Sequence, residues 1–193
     1  MGVDLQRIHL KLLAEAPSSF SVDPFLSIFA RQRSEQENLE CWVDLADYAH
    51  MPRGAGMLLV GHRANFSIDL GDPGPGFLYA GKLGLTGSIE KRILETFSRC
   101  LALVEVLLKQ PEYPNSLEPC WGSWELVIND RLIAPNTAET DTALRSDIET
   151  ALNVLFGSDN YTAELQNDPR KRYGLSIRAH KIPTLKELKT KLA

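Results

Sequence analysis

The sequence has few cysteines, and their spacing excludes the chemistry that cysteines most often indicate. Cys41, Cys100 and Cys120 are odd in number, far apart, and free of any C-x-x-C pair. A disulfide framework needs paired cysteines, and a structural zinc site needs closely spaced ones. The four histidines show no H-x-x-x-H spacing either. We therefore expect no metal site, and no motif in the chain indicates a cofactor.

Long apolar runs and a surplus of positive charge are also missing. The longest apolar run, residues 100–108, spans nine positions and includes Glu105, whereas a membrane-spanning helix needs about 20. The net charge is −4, and proteins that mainly neutralise phosphates usually carry a basic excess. The first six residues lack the basic and apolar regions of a signal peptide. We expect a soluble cytoplasmic protein, without a membrane partner and without nucleic acid as its main partner.

What remains is the composition of an ordinary globular protein. Hydrophobic residues make up 44% of the 193 positions and charged residues 24%, far from the composition of disordered chains. A chain of this length suits one domain with a sizeable core. We predict one α+β domain over residues 1–182, followed by a short basic tail over residues 183–193.

The beginning of the chain predicts helices. Leu5, Ile8, Leu12 and Leu13 follow helical spacing, which favours a helix over residues 4–15. A second helix is expected after Pro24, because proline suits the first turn of a helix. A third, short helical turn is expected at residues 42–48.

The rest of the chain favours strands that cluster between two long helices. The longest helix is expected over residues 88–109, and another is expected to begin at Asn136 as N-cap and to stop at Gly157. Apolar runs and alternating patterns predict six strands, at residues 57–60, 64–70, 77–85, 124–129, 161–166 and 173–179. The predicted order is α-α-β-β-β-α-β-α-β-β. It describes a mostly antiparallel sheet of five or six strands with helices on one face.

Residues 62–69 hold the most suggestive polar cluster. His62, Arg63, Asn65 and Asp69 bring an imidazole, a guanidinium, an amide and a carboxylate into eight positions. A histidine near a carboxylate can act in general acid–base chemistry. The alternative is that Asn65, Ser67 and Asp69 form the water-facing side of an antiparallel strand, with His62 and Arg63 at a bend.

Two further cations are candidate ligand contacts. Lys82 opens a glycine-bearing turn that leads into the longest helix, where exposed N–H groups favour an anion. Arg131 lies in a connection between a strand and a helix, a common place for ligand contacts. Turn formation and helix capping explain the same residues without a ligand.

Three functions follow, in order of preference. The first is a non-catalytic interaction protein that forms a homodimer or another homo-oligomer, because tryptophans such as Trp42, Trp121 and Trp124 suit buried interfaces. The second is a small-molecule binder or enzyme that uses His62 to Asp69. The third is an RNA-contacting accessory domain that uses the basic C-terminal quarter of the chain.

Overall fold

Residues 5–35, 40–51 and 53–192 of the chain are described by a computed structural model. The strands in chain order are β1 (Ile8–Glu15), β2 (Trp42–Asp47), β3 (Met57–Gly61), β4 (Ala64–Asp69), β5 (Gly76–Gly81), β6 (Glu118–Ile128), β7 (Tyr161–Leu165) and β8 (Gly174–Ala179). The helices are α1 (Pro24–Glu35), α2 (Ile89–Leu108), α3 (Ala138–Phe156) and α4 (Leu185–Leu192). The described ranges thus alternate clusters of strands with single helices, as an α+β fold does.

Over the described ranges, eight strands form one sheet in the order β2-β3-β4-β5-β1-β6-β8-β7. Every neighbouring pair is antiparallel. The order contains two β-α-β-β-α units, the first from β1 to α2 and the second from β6 to α4, with the β2–β3 hairpin added to the first. In each unit the opening strand pairs with the closing strand, and the two opening strands, β1 and β6, pair with each other where the units meet.

The helices cover one face of this sheet. The rings of Phe29 on α1 and Phe66 on β4 lie 6.1 Å apart, and those of Phe97 on α2 and Trp124 on β6 lie 5.0 Å apart. The strand register places Phe66 and Trp124 on the same face of the sheet. Helix α3 packs on α2 through Phe156 and Phe97. We call the opposite side of the sheet the open face.

The first strand corrects the predicted helix over residues 4–15, of which residue 4 lies outside the described residues. Ile8, Leu10 and Leu12 are all fully buried, which is the period of two that a strand produces. The helical interpretation relied on Leu13, whose side chain is on the open face. The alternation is also hidden by a β-bulge between Leu12 and Ala14.

The short helical turn predicted at residues 42–48 is also wrong, because this segment is the edge strand β2. A register shift between Trp42 and Asp44 interrupts its alternation, so the sequence shows no clear period of two. With β1 and β2 added, the sheet has eight strands and not five or six. The observed order is therefore β-α-β-β-β-β-α-β-α-β-β-α.

The antiparallel α+β architecture and the two long helices are confirmed. Ser88 caps α2 by accepting a hydrogen bond from the N–H of Lys91. The cap of α3 is Thr137, one residue after the predicted Asn136, because the Thr137 side chain accepts from Thr140 N–H. Within residues 183–192, α4 packs with Leu188 buried. No helix in the described part of the chain is long and apolar enough to cross a membrane.

Candidate ligand-binding cleft

Two loops narrow the middle of the open face into a cleft. One is the β4–β5 turn, residues 70–75, and the other is the β7–β8 loop, residues 166–173. A cavity of about 610 Å³ adjoins one of about 270 Å³. The two cavities share the lining residues Asp72, Pro73, Glu125, Val127, Gln166 and Arg172. We treat them as one central cleft, which lies over β5, β1, β6 and β8.

The floor of the central cleft contains two buried charges. Lys11 on β1 and Glu125 on β6 are direct partners in the strand register, and both point away from the helices. Their side chains are only 6% and 5% exposed. A buried charge is unfavourable unless it is paired and hydrogen-bonded, so the partners of each group define the site.

Lys11 is held by two acceptors of the β4–β5 turn. Its ammonium forms an ion pair with the Asp69 carboxylate and donates to the Gly71 carbonyl at 2.9 Å. The Gly71 N–H in turn donates to Asp69 Oδ1 at 3.1 Å. This network fixes the turn over the open face and forms one wall of the cleft.

Glu125 is engaged on one side only. Its Oε2 accepts hydrogen bonds from Gln166 Nε2 at 3.1 Å and from Ser176 Oγ at 2.8 Å. Its Oε1 is buried and has no hydrogen-bond partner within the described part of the chain. The guanidinium of Arg178 lies 3.5 Å from Oε1, close enough for an ion pair but without hydrogen-bond geometry. Half of this carboxylate is therefore left without a donor.

His9 lies on β1 two residues before Lys11 and lines the smaller part of the cleft. Burial, and to a smaller extent the positive charge of Arg172, lower the pKa of its imidazole to about 4. Both causes disfavour the imidazolium form. His9 is therefore a neutral hydrogen-bonding group at neutral pH.

The rim of the cleft is basic. Arg131 follows β6, and Lys171 and Arg172 lie on the β7–β8 loop; all three side chains are exposed. Arg172 Nη1 donates to Asn129 Oδ1 at 2.9 Å, and Arg131 donates to the carbonyl of Arg170. These contacts join the β6–α3 connection to the β7–β8 loop and hold the cations at the mouth.

The β7–β8 loop is also tied to the start of α3. Asn136 Nδ2 donates to the carbonyls of Gln166 and Asp168 at 2.8 and 2.9 Å. The side chain that the sequence suggested as a helix cap therefore positions the second wall of the cleft. The basic residues of the C-terminal quarter are spread over this loop, β8, the β8–α4 connection and α4, where Lys189 pairs with Glu105.

Of the six residues proposed from the sequence, the structure brings two to the central cleft. Asp69 lines its smaller part, and Arg131 lines its larger part. Asn65 is on the open face, two strands from β1, and its Oδ1 is buried without a hydrogen-bond partner in the described ranges.

The other three proposed residues lie together at the far end of β4. Lys82 Nζ donates to the Gly61 carbonyl at 2.7 Å, and Lys82 N–H donates to the Arg63 carbonyl at 2.8 Å. The Arg63 N–H donates to the buried carboxylate of Glu40 at 3.0 Å. His62 is exposed at the same turn. These contacts stabilise the β3–β4 hairpin and do not face the central cleft.

Sequence reasoning missed Lys11, Glu125, His9 and Arg172. Lys11 was hidden in a segment interpreted as a helix, and Glu125 was one acidic residue within a strand. Each charge occupies an open-face position of its strand, where the alternation alone predicts an ordinary water-facing side chain. Only the pairing of β1 with β6 brings the two charges together.

The chemistry of the cleft indicates what it can bind. No protein-family model matches the sequence, and no curated protein is significantly similar to it. Across residues 5–35, 40–51 and 53–192, no group of three or more His, Cys, Asp or Glu side chains is arranged to hold a metal ion. The cleft offers charged and hydrogen-bonding groups around an apolar patch of Leu78 and Val127.

Proposed function

We propose that the protein is a non-catalytic binding protein that holds a small anionic molecule in the central cleft. The observation that carries this proposal is the basic rim formed by Arg131, Lys171 and Arg172 at the mouth of the cleft. A volume of about 610 Å³ falls in the range of about 300–1,000 Å³ that ligand pockets occupy.

The balance of charges in the lining favours an anion. Lys11 pairs with Asp69, and Arg170 pairs with Asp168, so these four charges compensate one another. The remaining cations are Arg131, Lys171 and Arg172, and the remaining anions are Asp72 and Glu125. Guanidinium groups bind carboxylates and phosphates through two parallel hydrogen bonds, which suits a ligand that carries either group.

The fixed hydrogen bonds of the floor favour binding over catalysis. Lys11 donates to Asp69 and Gly71. As a donating ammonium it has no lone pair with which to attack a substrate or to take up a proton. The group instead holds one wall of the cleft in place.

The proposal is tested by thermal unfolding with a panel of carboxylates and phosphate esters at constant ionic strength. An anion that binds the folded state raises the melting temperature in a saturable way. Arg172→Gln should raise the ligand concentration needed for a given increase in melting temperature about tenfold, as expected for a lost charge-assisted hydrogen bond. Lys186→Gln removes one positive charge from an exposed position of α4, and it should leave the ligand concentration that is needed unchanged. Equal responses of both variants, or no shift with any anion, would contradict the proposal.

A second candidate is self-association through the part of the open face outside the cleft. Leu58 and Val60 on β3, with Ala80 on β5, are partly exposed there, and none of the helices in the described ranges covers them. Light scattering at increasing concentration should then give twice the chain mass of 21.5 kDa. Val60→Asp should return the mass to that of one chain. A single-chain mass at all concentrations would exclude this candidate.

A further inference from the structure

We infer that the ligand of the central cleft also carries an ammonium group, and that Glu125 receives it. This inference rests on the proposed anion-binding function and adds the second half of the ligand. It starts from the buried Oε1 of Glu125, which has no hydrogen-bond partner in the described chain although Oε2 has two.

An ionised carboxylate accepts about four hydrogen bonds, two at each oxygen. In Glu125 the two at Oε2 are used, and the capacity of Oε1 is not. Buried polar atoms without a partner are uncommon in folded proteins because they have lost their bonds to water. Arg178 balances part of the charge from 3.5 Å, but its side chain is 44% exposed and does not hydrogen-bond to Oε1. Oε1 therefore suits a donor supplied from the cleft.

The position of Glu125 makes a charged donor the best fit. Glu125 and Arg172 line both parts of the cleft, so one bound molecule can contact the acidic floor and the basic rim. The neighbouring cation, Lys11, is committed to Asp69. An ammonium group supplies up to three donors and forms charge-assisted hydrogen bonds, which are stronger than neutral ones.

The apolar patch between floor and rim completes the ligand description. Leu78 and Val127 lie beside Glu125 in the smaller part of the cleft. They offer no hydrogen bonds and suit a hydrocarbon body. The chemical class is a small zwitterion of the amino-acid type, with an ammonium, an acidic group and an apolar side chain.

Matched pairs of molecules test the inference by isothermal titration calorimetry. Phenylalanine is compared with 3-phenylpropionate, and leucine with 4-methylpentanoate, since each pair differs by the ammonium group alone. We expect the wild-type protein to bind the amino acid about tenfold more tightly than its deaminated partner. Glu125→Gln should remove this preference but keep carboxylate binding. Glu149→Gln, at an exposed position of α3, should keep both the preference for the amino acid and the binding of carboxylates.

The outcomes separate this inference from the proposed function. Equal binding of both members of each pair by the wild type would overturn the ammonium site and leave the anion site standing. Failure of every anion in the thermal panel would overturn the proposed function itself. The wild-type comparison does not depend on Glu125→Gln folding, which far-ultraviolet circular dichroism checks independently. A preference that survives in folded Glu125→Gln would place the ammonium elsewhere and contradict the role of Glu125.

Discussion

At the scale of single residues, the ion pair of Lys11 and Asp69 determines whether the β4–β5 turn stays over the cleft. Removing one partner of a buried pair leaves an uncompensated charge, which costs about 3 kcal/mol or more. We predict that Lys11→Met lowers the free energy of unfolding by about 3 kcal/mol in urea titrations. The double variant Lys11→Met/Asp69→Asn should be more stable than Lys11→Met alone. Strictly additive effects of the two substitutions would show that the pair is not coupled.

The pKa of His9 makes a second residue-scale prediction, about acid stability. Burial, and then the charge of Arg172, lower the pKa from 6.5 to about 4. The unfolded chain therefore binds a proton between pH 6.5 and pH 4 that the folded chain does not, and stability falls as the pH is lowered through this range. The difference corresponds to at most about 3 kcal/mol.

Urea unfolding at pH 7 and pH 4.5 measures this contribution of His9. His9→Gln should lose about 1–3 kcal/mol less than the wild type over that interval, because it has no imidazole to protonate. His62→Gln, at the exposed β3–β4 turn, should follow the wild-type pH dependence. If the free energy of unfolding falls by the same amount in His9→Gln and in the wild type between these pH values, the pKa of His9 is not lowered in the folded state.

At the scale of elements, the spacing of apolar residues predicts the regular helices and strands, and it fails where a strand contains a bulge or a register shift. The apolar stripe of α2 and the alternation of β4 need no partner to be recognised. In β1 the residues Ile8, Leu12 and Leu13 fit a helical face as well as a strand interrupted by a bulge. In β2 the register shift after Trp42 removes the alternation altogether. Long-range pairing, which the sequence does not display, decides both elements.

The site shows the same division between local and long-range information. Asp69 and Arg131 were identifiable because polar residues next to turns are visible in the sequence. Lys11 and Glu125 were not, because their proximity depends on the register of two strands separated by more than 100 residues. A charge at an open-face position of a strand has the sequence pattern of a water-facing residue, and only the loops that cover it in the fold bury it.

Gly76 at the start of β5 provides a prediction about an element boundary. A Cβ built on Gly76 would lie 2.3 Å from the carbonyl oxygen of Leu12 on the paired strand β1, closer than van der Waals contact permits. We predict that Gly76→Ala separates β5 from β1 and lowers the free energy of unfolding by about 2 kcal/mol. Gly74→Ala in the same turn meets no atom within 4 Å and should change stability by less than about 0.5 kcal/mol. Equal effects in urea titrations would contradict this account.

At the scale of the whole molecule, the cleft lies at the junction of the two β-α-β-β-α units. One wall, the β4–β5 turn, belongs to the first unit, and the other wall, the β7–β8 loop, belongs to the second. Lys11 and Glu125, the two floor charges, come from the strands that join the units. Neither unit alone contains the cleft, so ligand binding requires the paired state of β1 and β6.

The same arrangement predicts the order in which parts of the protein unfold. Strands β1 and β6 have a neighbour on both sides and share one continuous core with α2, whereas β2 and β7 are edges. Amides that exchange only by global unfolding should therefore lie in β1, β6 and α2, and those of β2 and β7 should exchange first. Hydrogen exchange measured by mass spectrometry checks this order peptide by peptide. Slow exchange in the second unit together with fast exchange in β1 would show that the units unfold separately, and a ligand held between them would then couple their stabilities.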